Sequence, residues 1–172
     1  MDDKEFERLL LSVQKPGRYS GGEINSVVKD KNKVDVRFAF CFPDTYEIGM
    51  SHLGIKILYS QFNERDDIWC ERVFAPCEDF EKIMREKNIP LFGLESRDSI
   101  RDFDFIGFTL QYEMSYTNIL NMLDLAGVPL RAADRTELSP LVVAGGPCCS
   151  NAEPIADFFD LFFLGEGEEV DL

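Results

Sequence analysis

Residues 34–54 read VDVRFAFCFPDTYEIGMSHLG. Valine and phenylalanine recur at a spacing of two as far as Phe42, which is the period of a β-strand. From Phe42 to Gly54 the chain becomes a dense run of polar, aromatic and glycine residues. An amphipathic helix then opens at Ser51, with Leu53, Ile55, Ile57, Leu58 and Phe62 on its apolar face. In an open α/β sheet ligands bind beyond the carboxyl ends of the strands, where such a loop lies. The loop also holds His52, the single histidine of the chain.

Toward the N-terminus, Phe6, Leu9, Leu10 and Val13 predict a helix over Asp3–Val13, stopped by Lys15-Pro16-Gly17. Two extended runs, Glu23–Lys29 and Val34–Phe40, flank an Asp30–Lys33 turn and are expected to pair as a hairpin. Residues 1–33 are thus expected as an appendage to an α/β domain of residues 34–172. Within that domain strand and helix signals alternate. Strands are expected at Trp69–Phe74, Asp104–Leu110, Leu141–Ala144 and Leu161–Leu164, with a minor one at Pro90–Leu94. Helices are expected at Phe80–Glu86 and Tyr116–Ala126, the latter capped by Gly127, with a turn or two at Ile155–Phe159. The pattern predicts a flavodoxin-like (Rossmann-like) parallel sheet of about five strands with helices on both faces. Gly165-Glu166-Gly167-Glu168-Glu169 resembles the opening of another helix, so a domain cut from a longer protein is expected.

A length of 172 residues with 45% hydrophobic composition and 15 phenylalanines is enough for one well-filled core. The formal charge of -14 repels phosphate backbones, which argues against direct nucleic-acid binding by this domain. The acidic start has no signal-peptide pattern, and no window reaches the ~18 apolar residues of a membrane span. Five cysteines, at 41, 70, 77, 148 and 149, form no disulfide framework; a reduced, cytoplasmic protein is expected.

The flavodoxin-like strand order brings three loops to one sheet edge: Phe42–Gly54, Gln111–Tyr116 and Gly145–Asn151. Candidate ligand-binding residues there are Asp44, Tyr46, Gly49, Ser51, His52, Gly54, Thr109, Gln111, Tyr112, Gly145 and Gly146. Glycine-rich strand-to-helix turns also build any fold of this class, so ordinary turns are the competing reading. His52 could ligate a metal or exchange a proton, or simply cap or pack its helix; no acidic partner stands at a diagnostic spacing. Cys41, Cys148, Cys149 and His52 do not make a metal site, because strands one and four lie two spacings apart, ~10 Å. Asp44, Glu47, Glu113 and Glu153 are read as chance placements among 32 acidic residues rather than paired catalytic carboxylates. GxGxxG, GxxxxGK[ST] and GxSxG are absent.

Several segments carry a family resemblance: PDTYEIGMSHLGIKILY, ERVFAPCEDFEKIM, IPLFGLESRDSIRDFDFIGFTLQYEMSYTNILNMLDLAGVPL and PLVVAGGPCCSNAEPIADFFDLFFLGEGEE. They resemble the N-terminal region of radical SAM proteins with cobalamin-binding domains, from about Lys15 onward, within a largely uncharacterised bacterial subfamily. The resemblance implies a cobalamin-binding-like domain ahead of a radical SAM barrel in the same protein, its partner. There, a CxxxCxxC motif holds a 4Fe-4S cluster whose open iron binds S-adenosylmethionine. That motif is absent from these residues, so no radical chemistry is expected of this chain alone. Cobalamin domains of the base-displaced type carry Asp-x-His-x-x-Gly after the first strand; here the region reads Met50-Ser51-His52-Leu53-Gly54. Thr109 takes the place of the expected serine, and Gly145-Gly146 that of the paired glycines. The alternatives are a non-catalytic docking module with a vestigial pocket and, last, a flavin-binding protein.

Overall fold

The computed structural model describes residues 3–138, 140–165 and 167. Its central element is β1 (Val36–Phe42), whose side chains alternate between the two faces of a sheet. Ala39 and Cys41 join the larger core cluster, whereas Phe38, Phe40 and Phe42 join the smaller one opposite. Around β1 lie β2 (Ile68–Phe74), β3 (Phe105–Thr109), β4 (Leu141–Gly145) and β5 (Leu161–Phe162). The order is β2-β1-β3-β4-β5 and every pairing is parallel. This is the flavodoxin-like arrangement expected from the strand and helix alternation, with helices on both faces.

The larger cluster packs α1 (Asp3–Leu10), α4 (Glu78–Lys87) and α5 (Tyr116–Ala126) against one face. The opposite face is covered over β1 and β2 by α3 (Leu53–Glu64), through Ile55, Tyr59 and Phe62. Each such fully buried aliphatic or aromatic side chain stabilises the fold by about 1.5–3 kcal/mol. α4 ends at Asn88 in the left-handed conformation and α5 at Gly127, the expected cap. No helix among the described residues is long and apolar enough to cross a membrane.

The expected hairpin between Glu23–Lys29 and Val34–Phe40 does not form. Both edges of β1 are occupied, by β2 and β3, so no partner strand can add to it. Residues 23–29 instead strap the outer edge through side chains. The Val27 N–H donates to Tyr59 Oη at 2.7 Å, and Trp69 Nε1–H donates to the Val27 carbonyl at 2.9 Å. Lys29 Nζ donates to the carbonyls of Asn63, Arg65 and Ile68. The first helix stops at Leu10 rather than Val13, where the Ser12 hydroxyl and N–H both donate to the Leu9 carbonyl; Val13 is still buried. The helix expected to open at Ser51 is two helices, α2 (Tyr46–Ser51) and α3, broken at His52. Pro90–Leu94 supplies only an antiparallel bridge, Phe92 to Ser99, and the turn near Ile155 is a 3-10 helix over Glu153–Phe158. β5 is two residues long where four were expected. The helix expected from Gly165 falls largely outside the described residues.

Candidate functional site

α3 covers β1 and β2 but stops short of β3 and β4 on its side of the sheet. A slot of about 430 Å³ remains between that helix and the uncovered strands. The strand period decides its floor. Phe38 pairs with Phe105, Phe40 with Gly107, Gly107 with Val143 and Thr109 with Gly145, so all of them face the slot. Phe38 stacks on Phe62 of α3, centroids 4.8 Å apart, and on Phe105 at 6.0 Å. Ile55, Leu58 and Phe62 form the helix wall, and Phe163, Gly165 and Gly167 lie at the far side. Among the described residues no Asp, Glu, Lys or Arg lines it.

The polar groups gather at the carboxyl end of the strands. Thr109 Oγ1 accepts from Gln111 Nε2 at 2.5 Å. Gly146 has φ 102°, and a Cβ there would stand 3.0 Å from the Leu110 carbonyl oxygen and 3.2 Å from Thr109 Oγ1. Only glycine fits that turn. At Gly145 a Cβ would meet nothing within 4 Å, so this backbone opens onto free space.

His52 stands at the N-cap of α3, and its Nδ1 accepts from the Ile55 N–H at 3.4 Å. Its ring lies 5.2 Å from that of Phe42, tilted by 46°. A neutral imidazole that accepts at Nδ1 carries its proton on Nε2. A Cβ on Gly54 would come within 3.0 Å of His52 Cε1, so glycine leaves the ring its room.

Of the eleven candidate residues, the slot gathers His52, Gly54, Thr109, Gln111, Gly145 and Gly146. The other five make contacts of their own. Tyr112 Oη donates to Asp44 Oδ2 at 2.9 Å, tying the loops after β1 and β3 together. Tyr46 Oη donates to Glu23 Oε1, and Ser51 Oγ to the Ile48 carbonyl. Gly49 is buried with Phe74 and Phe42 against it. The floor residues Phe38, Phe105, Gly107 and Val143 were not among the candidates. Their common face follows from the spacing of two within each strand, but only once strand order and register are known.

Among the described residues no group of three His, Cys, Asp or Glu side chains could hold a metal ion. Cys41 and Cys70 are fully buried, and burial pushes their thiols well above the ordinary range. The β2 edge carries a buried ionic cluster. Arg37 pairs with Glu71 at 2.6 Å, and Arg72 with Glu95 at 2.7 Å. Burial raises Glu95, against the opposing pull of Arg72. Both carboxylates also accept from backbone N–H groups, Glu71 from Ser96 and Glu95 from Arg72, which marks them as structural.

Two comparisons bear on this geometry. The family described as radical SAM proteins, N-terminal, matches residues 54–172. An uncharacterized protein of Methanocaldococcus jannaschii is 30% identical over 135 residues, which are 78% of this chain and 24% of that protein. The chain therefore spans about a quarter of the length of the curated relative it matches.

Proposed function

We propose that this chain, which belongs to the family of radical SAM protein N-terminal domains, holds an organic ligand in the slot and presents it to a catalytic domain elsewhere in the same protein. The observation that carries the reading is a slot with no charged lining among the described residues, an aromatic floor, and polar groups at the carboxyl end of the strands. Such a site suits a ligand with a flat, neutral body. Cobalamin bound without a histidine ligand has such a portion in its displaced base, and it is the ligand we assign. Thr109, Gln111, Gly145 and Gly146 would line the end nearest the loops, and Phe38 and Phe105 would lie deeper along the floor. When bound, cobalamin supplies a cobalt centre for group transfer. The 4Fe-4S cluster and S-adenosylmethionine belong in this reading to the downstream barrel, because cysteines 41, 70, 77, 148 and 149 lack the CxxxCxxC spacing.

The same edge of the sheet exposes Leu53 and Met114, with Ile48 and Tyr112 partly so. An apolar rim on the loops around a slot favours contact with another domain. It also supports the second reading, a docking module whose slot is vestigial.

Gly145→Val separates the two. A Cβ at this position meets nothing within 4 Å, so the added side chain narrows the polar end of the slot. Mixing the protein with hydroxocobalamin, desalting and recording the visible spectrum should show retained cobalamin in the parent and none in the variant, with equal melting temperatures. No retention by the parent removes cobalamin. Equal retention by both removes the slot as its site.

A further inference from the structure

We infer that His52 acts in the slot as a hydrogen-bond donor, so that the slot takes a neutral planar ring bearing an unprotonated acceptor atom, not a metal ligated by this histidine. The inference rests on reading the slot as a ligand site. Its basis is the way α3 begins. The Ile55 N–H is one of the donors that a helix leaves without an internal partner, and His52 Nδ1 accepts it. That contact leaves the ring proton on Nε2, the remaining polar atom of a side chain that lines the slot.

A metal-ligating histidine is built the other way round. It presents an unprotonated nitrogen to the metal and gives its other N–H to a carboxylate or carbonyl, which fixes the ring. Here the second nitrogen faces a donor. The residue two before His52 is Met50, whose Sδ lies 3.6 Å from Arg72 Nη1, and it offers no carboxylate. Gly54 leaves room for the ring in this orientation. Moving the ring proton to Nδ1, which would free Nε2 for a metal, would remove the acceptor that caps α3.

The remaining lining fixes the rest of the ligand. Among the described residues no charged side chain lines the slot to compensate an ionised ligand, so a neutral one is favoured. At the polar end Ile55 supplies an apolar wall, and a Cβ on Gly145 would meet nothing within 4 Å, which leaves room for a ring beside His52. The donor that His52 fixes at the polar end then selects rings by what they accept.

Two measurements test this. Because His52 is the only histidine, nitrogen-15 NMR of the chain shows a single pair of imidazole nitrogens. The expected spectrum has a proton on Nε2 and none on Nδ1; the reverse pattern overturns the inference. The second measurement compares two rings of one shape at mildly alkaline pH. Benzimidazole has an unprotonated ring nitrogen; indole has a carbon in its place. The parent should bind benzimidazole roughly fivefold more tightly, the value of one added hydrogen bond. His52→Ser keeps a capping oxygen but is too short to reach into the slot, and it should bind both rings alike. Equal binding by the parent, or a preference kept in the serine variant, overturns the role of His52 alone. Binding of neither ring overturns the slot as a ligand site, and the inference with it.

Discussion

The ring of Phe38 lies across the backbone of Gly107, so closely that a Cβ on that glycine would stand 2.3 Å from Phe38 Cζ. The two residues sit on adjacent parallel strands, and the missing side chain on β3 lets the β1 phenylalanine lie flat between Phe62 and Phe105. Gly107→Ala must therefore displace an aromatic ring rather than fill a gap. We expect a loss of about 1–3 kcal/mol, the usual cost of overpacking, read as a lower urea midpoint. Gly145→Ala is the contrast. It lies on the neighbouring strand, paired with Thr109, but faces open space. It should leave stability unchanged or raise it by up to about 1 kcal/mol, through a stiffer unfolded chain. If both substitutions cost the same, the ring packing described here is wrong.

His52→Ala removes the acceptor at the start of α3 and should cost about 1 kcal/mol, while His52→Ser should recover most of it. Thermal unfolding of the three proteins reads the difference. A serine variant as unstable as the alanine one would mean that the ring matters through its packing on Phe42 instead.

These two positions show what was legible before the fold was known. The parallel sheet could be read from VDVRFAFCF, DFIGFTL and the helices between, because buried strands and amphipathic helices carry distinct periods. The loops at the strand ends could be read from their glycines, and half of the candidate residues do meet in one slot. The slot's floor could not. Phe38 and Gly107 look like ordinary strand residues, and their contact depends on inter-strand register, which no single segment encodes. The strap over residues 23–29 was misread for a related reason. Its sequence reads as a strand, yet the chain turns at Ile24-Asn25 and its bonds go to the side chains of Tyr59, Trp69 and Arg72, distant in sequence.

Glu71 anchors the inner end of the buried ionic cluster. Its side chain is fully buried, accepts from Arg37 at 2.6 Å and from the Ser96 N–H at 2.8 Å, and leans on Gly93, which has no side chain to obstruct it. Arg37 in turn lies over the rings of Phe103 and Trp69. Glu71→Ala should cost about 3 kcal/mol, the low end for breaking a buried pair, because the guanidinium loses its inner partner but keeps Asp98 Oδ2 at 2.9 Å. Replacing both residues together, Arg37→Met with Glu71→Ala, should cost less than Glu71→Ala alone. Urea unfolding across this double-mutant cycle measures the coupling, and additive losses would show that the pair does not act as a unit.

High pH should unfold this protein through its buried phenols and thiols. Burial raises Tyr19 from an ordinary value of 10.0 to about 12, and pushes Tyr59 higher still. The thiols of Cys41 and Cys70 are raised by the same cause. All four are acids held in their neutral form by the fold. Unfolding lets them ionise at their ordinary values, so above those values the unfolded chain binds fewer protons and stability falls as pH rises. For Tyr19 the contribution is complete below pH 10 and is lost progressively as pH climbs through about 12. Tyr19→Phe loses the acceptor for the Cys77 N–H, about 1 kcal/mol at neutral pH, but should show a shallower decline across that window. Urea midpoints and phenolate absorbance recorded together decide the matter. Tyrosine ionisation should appear with unfolding, and a full phenolate signal from a chain that is still folded would place these rings in solvent.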